Sequence, residues 1–174
     1  MAKKHSNKLD FDTGWHYDPA PESPELAKLN DSYDLFIDGK FVKPTSGKYF
    51  DTTSPSSQKT LAKVAEADKR DVAKAVTAAR KAYEGTWSRL RPSERGKYLF
   101  RIARVIQERS RELAVTESLD GGKPIRESRD IDLPLVAAHF FYHAGWADKL
   151  SYAFPGRKVG PLGVAGQIIP WNFP

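Results

Sequence analysis

The sequence predicts an α/β protein in which short strands come first, a long helical middle follows, and one buried strand closes the order. Three observations predict it. Apolar residues alternate in short runs before residue 66, they recur at helical spacing between residues 68 and 150, and the run Val164 to Ile169 is apolar on both faces.

Residues 1 to 31 are polar and proline-spotted, with YDPAPESPE at Tyr17 to Glu25. Such a composition predicts an N-terminal arm that is partly disordered, although Phe11, Trp15 and Tyr17 argue that some of it docks. Leu35 to Val42, LFIDGKFV, is a hairpin signal, because Asp38-Gly39 suits a tight turn with positive φ angles. Leu61 to Ala65 reads as a further short strand, and Pro44 to Ser57, rich in Ser, Thr and Pro, reads mostly as loop.

Asp68 can cap a helix whose stripe is Val72, Ala75, Val76 and Ala79 and which closes at Gly85. Pro92-Ser93-Glu94 opens a second helix with Leu99, Ile102, Ala103 and Ile106 on one face. A third spans about Arg111 to Asp120 and ends on Gly121-Gly122, where glycine accepts a left-handed cap. A fourth, rich in aromatics, runs from about Asp130 to Leu150. The strand over Val164 to Ile169 needs sheet partners, and few remain in this sequence to provide them.

Composition narrows the function. The 174 residues suit a soluble globular chain of one domain or a little more. The basic start MAKKHSNKLD is not followed by an apolar segment of signal length, and LPLVAAHFFY is too short to span a bilayer. There is no cysteine, which excludes disulfides and thiolate metal sites and fits a cytoplasmic location. The net charge of +6 is interleaved with acidic residues, as in DKRDVAKAV, so it describes solvated helix faces and not a nucleic-acid surface.

The most informative stretch is PLGVAGQIIPWNFP, Pro161 to Pro174. Pro170 and Pro174 restrict the residues before them to extended backbone, so Trp171-Asn172-Phe173 sits in a stiff loop. In open α/β sheets, ligands bind beyond the carboxyl ends of strands. The Asn172 amide could donate to a developing oxyanion there, a role worth about 3 kcal/mol in a transition state. Asparagine also closes turns, and on spacing alone a single amide favours that plainer role.

The segment VGPLGVAGQIIPWNFP resembles the aldehyde dehydrogenase superfamily signature, in which a Pro-Trp-Asn-(Phe/Tyr)-Pro loop follows the first strand of the dinucleotide-binding domain. LFIDGKFV, VAEADKRDVAKAVTAARKAYEGTW, RPSERGKYLFRIARVIQERSRELAVTESLDGGKP and FYHAGWADKL resemble the family's preceding segments in order, so the likeness covers about residues 34 to 174. YDPAPES is similar to the start of family-16 aldehyde dehydrogenases.

The resemblance implies the N-terminal part of that fold, a helical front half leading into the first strand of a Rossmann-like cofactor domain. Residues 32 to 174 would be an incomplete N-terminal portion of the NAD(P)-binding domain. The implied reaction oxidises an aldehyde to a carboxylic acid with NAD or NADP, through a cysteine thiohemiacetal. Asn172 matches the oxyanion donor, and Ile168, Ile169, Pro170 and Trp171 match the cofactor-contacting segment. The nucleophilic cysteine and the general-base glutamate lie after this motif in the family, so a truncated front third of a longer enzyme is expected, inactive alone and prone to aggregate through its unpaired strand. A non-catalytic protein-interaction module derived from the same fold is the alternative. SYAFPGRKVGPLGV is shorter than the family's usual excursion there, which puts the usual oligomeric assembly in doubt.

Other constellations imply less. His139 and His143 lie four apart on a helix but lack a third ligand, and aromatic packing accounts for them. Glu117 and Asp120, three apart on a helix, suggest paired carboxylates or, equally, helix-surface charge, and Phe140, Phe141, Tyr142 and Trp146 read as core. The resemblance matches Asp120 to a family position whose backbone often helps hold a structural monovalent cation, but the helix-end reading carries more weight.

Overall fold

The computed structural model describes residues 22 to 170, 172 and 173. The arm's first 21 residues, Trp171 and Pro174 lie outside the described residues.

The expected hairpin forms from β2 (Leu35–Ile37) and β3 (Lys40–Val42), after a short β1 (Ser32–Tyr33). Phe36 pairs with Phe41 across it, with ring centroids 5.2 Å apart. Asp38 and Gly39 both take positive φ, 53° and 77°, which is what a two-residue turn of matching twist requires. β4 (Tyr49–Thr53) lies where the sequence reads as loop. It pairs antiparallel with β5 (Thr60–Ala65), which runs parallel to β1, so the three form one small sheet in the order β1-β5-β4.

Helix α1 (Lys69–Gly85) starts on a full capping box: Asp68 accepts from the Arg70 and Asp71 N–H groups, and Asp71 reaches back to the Asp68 N–H. Asp71 is buried and does a second job. Its carboxylate accepts from the Thr45 N–H at 3.0 Å and from the Thr45 hydroxyl, tying the loop after β3 to the helix start. The Thr45 hydroxyl and N–H, the Asp68 N–H and the Lys74 ammonium hold Asp71 down at about 2. Val72 and Val76 of α1 remain exposed.

Helices α2 (Pro92–Glu108), α3 (Ser110–Gly121) and α5 (Leu133–Ala147) form the helical layer. The fourth helix expected from the sequence is divided. A short α4 (Ile125–Glu127) and one wide π turn (Ser128–Asp132) precede α5, and α6 (Leu150–Ala153) follows it. The buried apolar residues of this layer are small: Ala103, Ala114, Val115, Ala137 and Ala144, with Leu133. Small residues let backbones approach, and the tightest approach is at Gly96 of α2. A Cβ built there would stand 3.0 Å from the Ala144 carbonyl oxygen of α5. Phe100 and Phe141 meet edge to face beside it at 4.8 Å. No described helix is long and apolar enough to cross a membrane.

The strand expected over Val164 to Ile169 is not formed. A strand of this kind is defined by its neighbours, and among the described residues no ladder reaches it. Ile168 is fully exposed and Ile169 is 56% exposed, so the expectation of burial on both faces is also corrected.

Candidate active-site loop

Two features bring the C-terminal segment to the helices. The Tyr83 hydroxyl of α1 donates to the Pro161 carbonyl at 3.1 Å. At the far end, the Lys123 ammonium stands 4.0 Å from the centroid of the Phe173 ring. Between them, residues 162 to 169 make no backbone hydrogen bond to another described segment. Their N–H and C=O groups therefore line an open edge.

The loop turns between Pro170 and Phe173, whose N–H points at the Pro170 carbonyl at 3.4 Å. Asn172 sits on this turn and is exposed. Backbone groups close the turn, and the Asn172 side chain has no hydrogen-bond partner among the described residues. Ile168, Ile169 and Pro170 extend from the turn as an exposed apolar ridge. Trp171 lies outside the described residues.

Lys123 reaches the loop because of the residue before it. Gly122 takes φ 72°, a left-handed cap, and packs tightly on Pro55. The reversal turns Lys123 back over α3. Its ammonium lies 3.7 Å from Glu117 and donates to Asp132 on the π turn. All three are largely buried, their side chains 17%, 15% and 10% exposed. Asp132 beside its ammonium holds Lys123 above the ordinary lysine value. Burial, with Asp132 close by, pushes Glu117 up. Sequence reasoning missed this cluster. Its one signal was a lysine between a cap glycine and a proline, followed by an aspartate nine residues on.

Asp120 accepts a hydrogen bond from the Thr52 hydroxyl, which ties α3 to β4. His139 and His143 stack at 6.4 Å on α5, and Tyr142 meets both His143 and Trp146 edge to face. No group of three metal-ligating side chains occurs among the described residues. Glu22, the first described residue of the arm, has a buried side chain that accepts from Arg111 at 2.7 Å and Arg129 at 3.4 Å. The Arg111 hydrogen bond, with the charges of Arg111 and Arg129, holds its carboxyl below the usual range.

Residues 41–174 match the aldehyde dehydrogenase family, and the chain belongs to it. It is 41% identical over 165 residues to a mitochondrial benzaldehyde dehydrogenase of Antirrhinum majus, covering 89% of this chain and 31% of that protein. It is similar in structure to an NAD-dependent aldehyde dehydrogenase from Sinorhizobium meliloti, at TM-score 0.67 and 38% identity over 73% of this chain and 25% of that one. PnpE, solved in complex with nicotinamide adenine dinucleotide, matches at TM-score 0.65 and 44% identity, over 67% and 24% of the two chains. The chain thus spans about 30% of the length of the curated relatives it matches.

Proposed function

We infer that these residues supply the oxyanion donor and one cofactor-facing ridge of an NAD- or NADP-dependent enzyme that oxidises an aldehyde to a carboxylic acid. The observation that carries this reading is the Asn172 amide, exposed on a turn that backbone groups close, with no partner of its own among the described residues. A donor held ready but unused is what charge stabilisation in a transition state needs.

The chemistry at Asn172 follows from its side chain. When a nucleophile adds to an aldehyde, the carbonyl π electrons move onto oxygen. The Asn172 N–H groups donate to that oxygen and carry no proton that titrates near neutral pH, so the donation is the same across the working range. The chain has no cysteine, so the thiolate that the family's reaction uses comes from other residues than these.

Ile168, Ile169 and Pro170, with Trp171 next to them, would flank the cofactor. Their fit rests on an open apolar ridge beside unpaired backbone groups. NAD or NADP supplies the hydride acceptor when bound. The phosphates would be held elsewhere, because no Gly-x-Gly-x-x-Gly turn occurs in the chain. Residues 32 to 174 would form an incomplete N-terminal portion of that cofactor domain, after an arm over residues 1 to 31. A cysteine-free composition supports a cytoplasmic location. The stretch SYAFPGRKVGPLGV, residues 151 to 164, is shorter than the family's excursion there, so a departure from the family's usual assembly is part of the proposal.

The test is Asn172→Ala in the enzyme carrying this sequence. Turnover is expected to fall about 100-fold or more with the fold intact. Unchanged turnover would end the oxyanion reading.

A further inference from the structure

The Asn172 turn is weakly held by its own backbone, since the single hydrogen bond across it is long at 3.4 Å. Stiff prolines limit its shape but do not fix where it stands. The residue next to Asn172 does have a fixed partner. Phe173 is 60% exposed, and its ring meets the Lys123 ammonium 4.0 Å from the centroid.

We propose that Lys123 is a positioning residue for the Asn172 loop: held between Asp132 and Glu117, its ammonium grips the face of the Phe173 ring and fixes the turn on which the neighbouring amide stands. This rests on the reading of Asn172 as an oxyanion donor. Three observations support it. The ammonium is largely buried, where attraction to a ring face is stronger than in water. It has two carboxylate partners that set its position from α3 and from the π turn, so the charge cannot swing away from the ring. Gly122 and Pro124 bracket it, so its backbone is fixed on both sides. A lysine that only neutralised Glu117 and Asp132 would not need the ring, and this difference is what the test reads.

Two measurements are made together. In the enzyme carrying this sequence, nuclear magnetic resonance with labelled lysine reads the Lys123 ε-methylene protons. A ring face at this distance displaces them upfield, and Phe173→Leu should return them to the ordinary position. In the enzyme carrying this sequence, kcat and KM are measured for Lys123→Met, Lys123→Arg, Phe173→Leu, Asn172→Ala and the Phe173→Leu/Asn172→Ala pair. Lys123→Met and Phe173→Leu should each lower kcat about 10-fold, with a smaller change in KM. Lys123→Arg, which keeps the cation, should recover most of the loss. On the Asn172→Ala background, Phe173→Leu should add nothing, because the group being positioned is gone. If Lys123→Met does not fold, Phe173→Leu decides alone. An unshifted lysine, or normal kcat in Phe173→Leu where Asn172→Ala is impaired, overturns this proposal only. Normal kcat in Asn172→Ala overturns the donor reading and the proposal with it.

Discussion

Replacing Gly96 and Gly145 by alanine makes the same chemical change twice in the helical layer, and the two should move stability in opposite directions. Both glycines lie inside helices, α2 and α5. In a helix interior, alanine is more favourable than glycine by about 1 kcal/mol. At Gly145 nothing lies within 4 Å of an added Cβ, so that gain should be realised in full. At Gly96 the Cβ would meet the Ala144 carbonyl oxygen at 3.0 Å and the Ala147 Cβ at 3.6 Å. The oxygen belongs to the α5 backbone and cannot rotate aside, so the two helices must part by a few tenths of an ångström. Overpacking of this kind costs about 1–3 kcal/mol, which exceeds the propensity gain. Gly96→Ala should therefore destabilise by about 1 kcal/mol, Gly145→Ala should stabilise by about 1 kcal/mol, and Gly96→Leu should destabilise by about 3 kcal/mol or more. Thermal unfolding of the chain followed by circular dichroism separates them, since a spread of about 2 kcal/mol between the two alanine variants corresponds to roughly 4–8 °C in Tm at this size. Equal shifts in the same direction would refute the claim that α2 and α5 meet backbone to backbone at Gly96.

Further expectations concern the junctions. Asp71 has a depressed pKa, so its contribution is fully present above the unfolded value of 3.8 and is lost as pH falls toward about 2. Asp71→Asn should flatten the acid limb of the stability curve between pH 4 and pH 2, which acid titration of the variant and the parent would show. Gly122→Ala should destabilise by about 1–3 kcal/mol in urea unfolding, because φ is +72° and the Cβ would meet Pro55 at 3.1 Å. Equal stability of the variant and the parent would contradict the left-handed cap that aims Lys123.

Much of the fold could be read from local chemistry. The Asp38-Gly39 hairpin, the Asp68 capping box, Pro92 at the start of α2 and the Gly122 cap are each decided by a few neighbouring residues, and each is where the sequence places it. The failures share a cause, which is dependence on distant partners. Tyr49 to Thr53 has a weak apolar pattern and becomes β4 only because β5 lies beside it. Val164 to Ile169 has a strong apolar pattern and forms no strand, for want of neighbours. The π turn at Ser128–Asp132 has no propensity signature, yet it brings Asp132 to Lys123. At the loop, the two prolines point to Asn172 from sequence alone. Lys123 was hidden because a lone lysine after a helix end is ordinary, and its significance lies in the ring it meets fifty residues on.

The alanine-lined seam between α2 and α5 bears on how such a chain begins to fold. Its residues all lie in one contiguous stretch from Pro92 to Ala147. Contacts that close over short separations form quickly, whereas parallel strand pairing must wait for residues far along the chain. On a ribosome the helical layer could thus assemble while later residues are still being synthesised. The apolar residues left open on it, Ile102, Leu135 and Trp146 among them, would then be a waiting template for chaperones or for the remainder of a sheet. The order of synthesis and the order of folding would coincide, with the Asn172 loop mounted on a layer that is already in place.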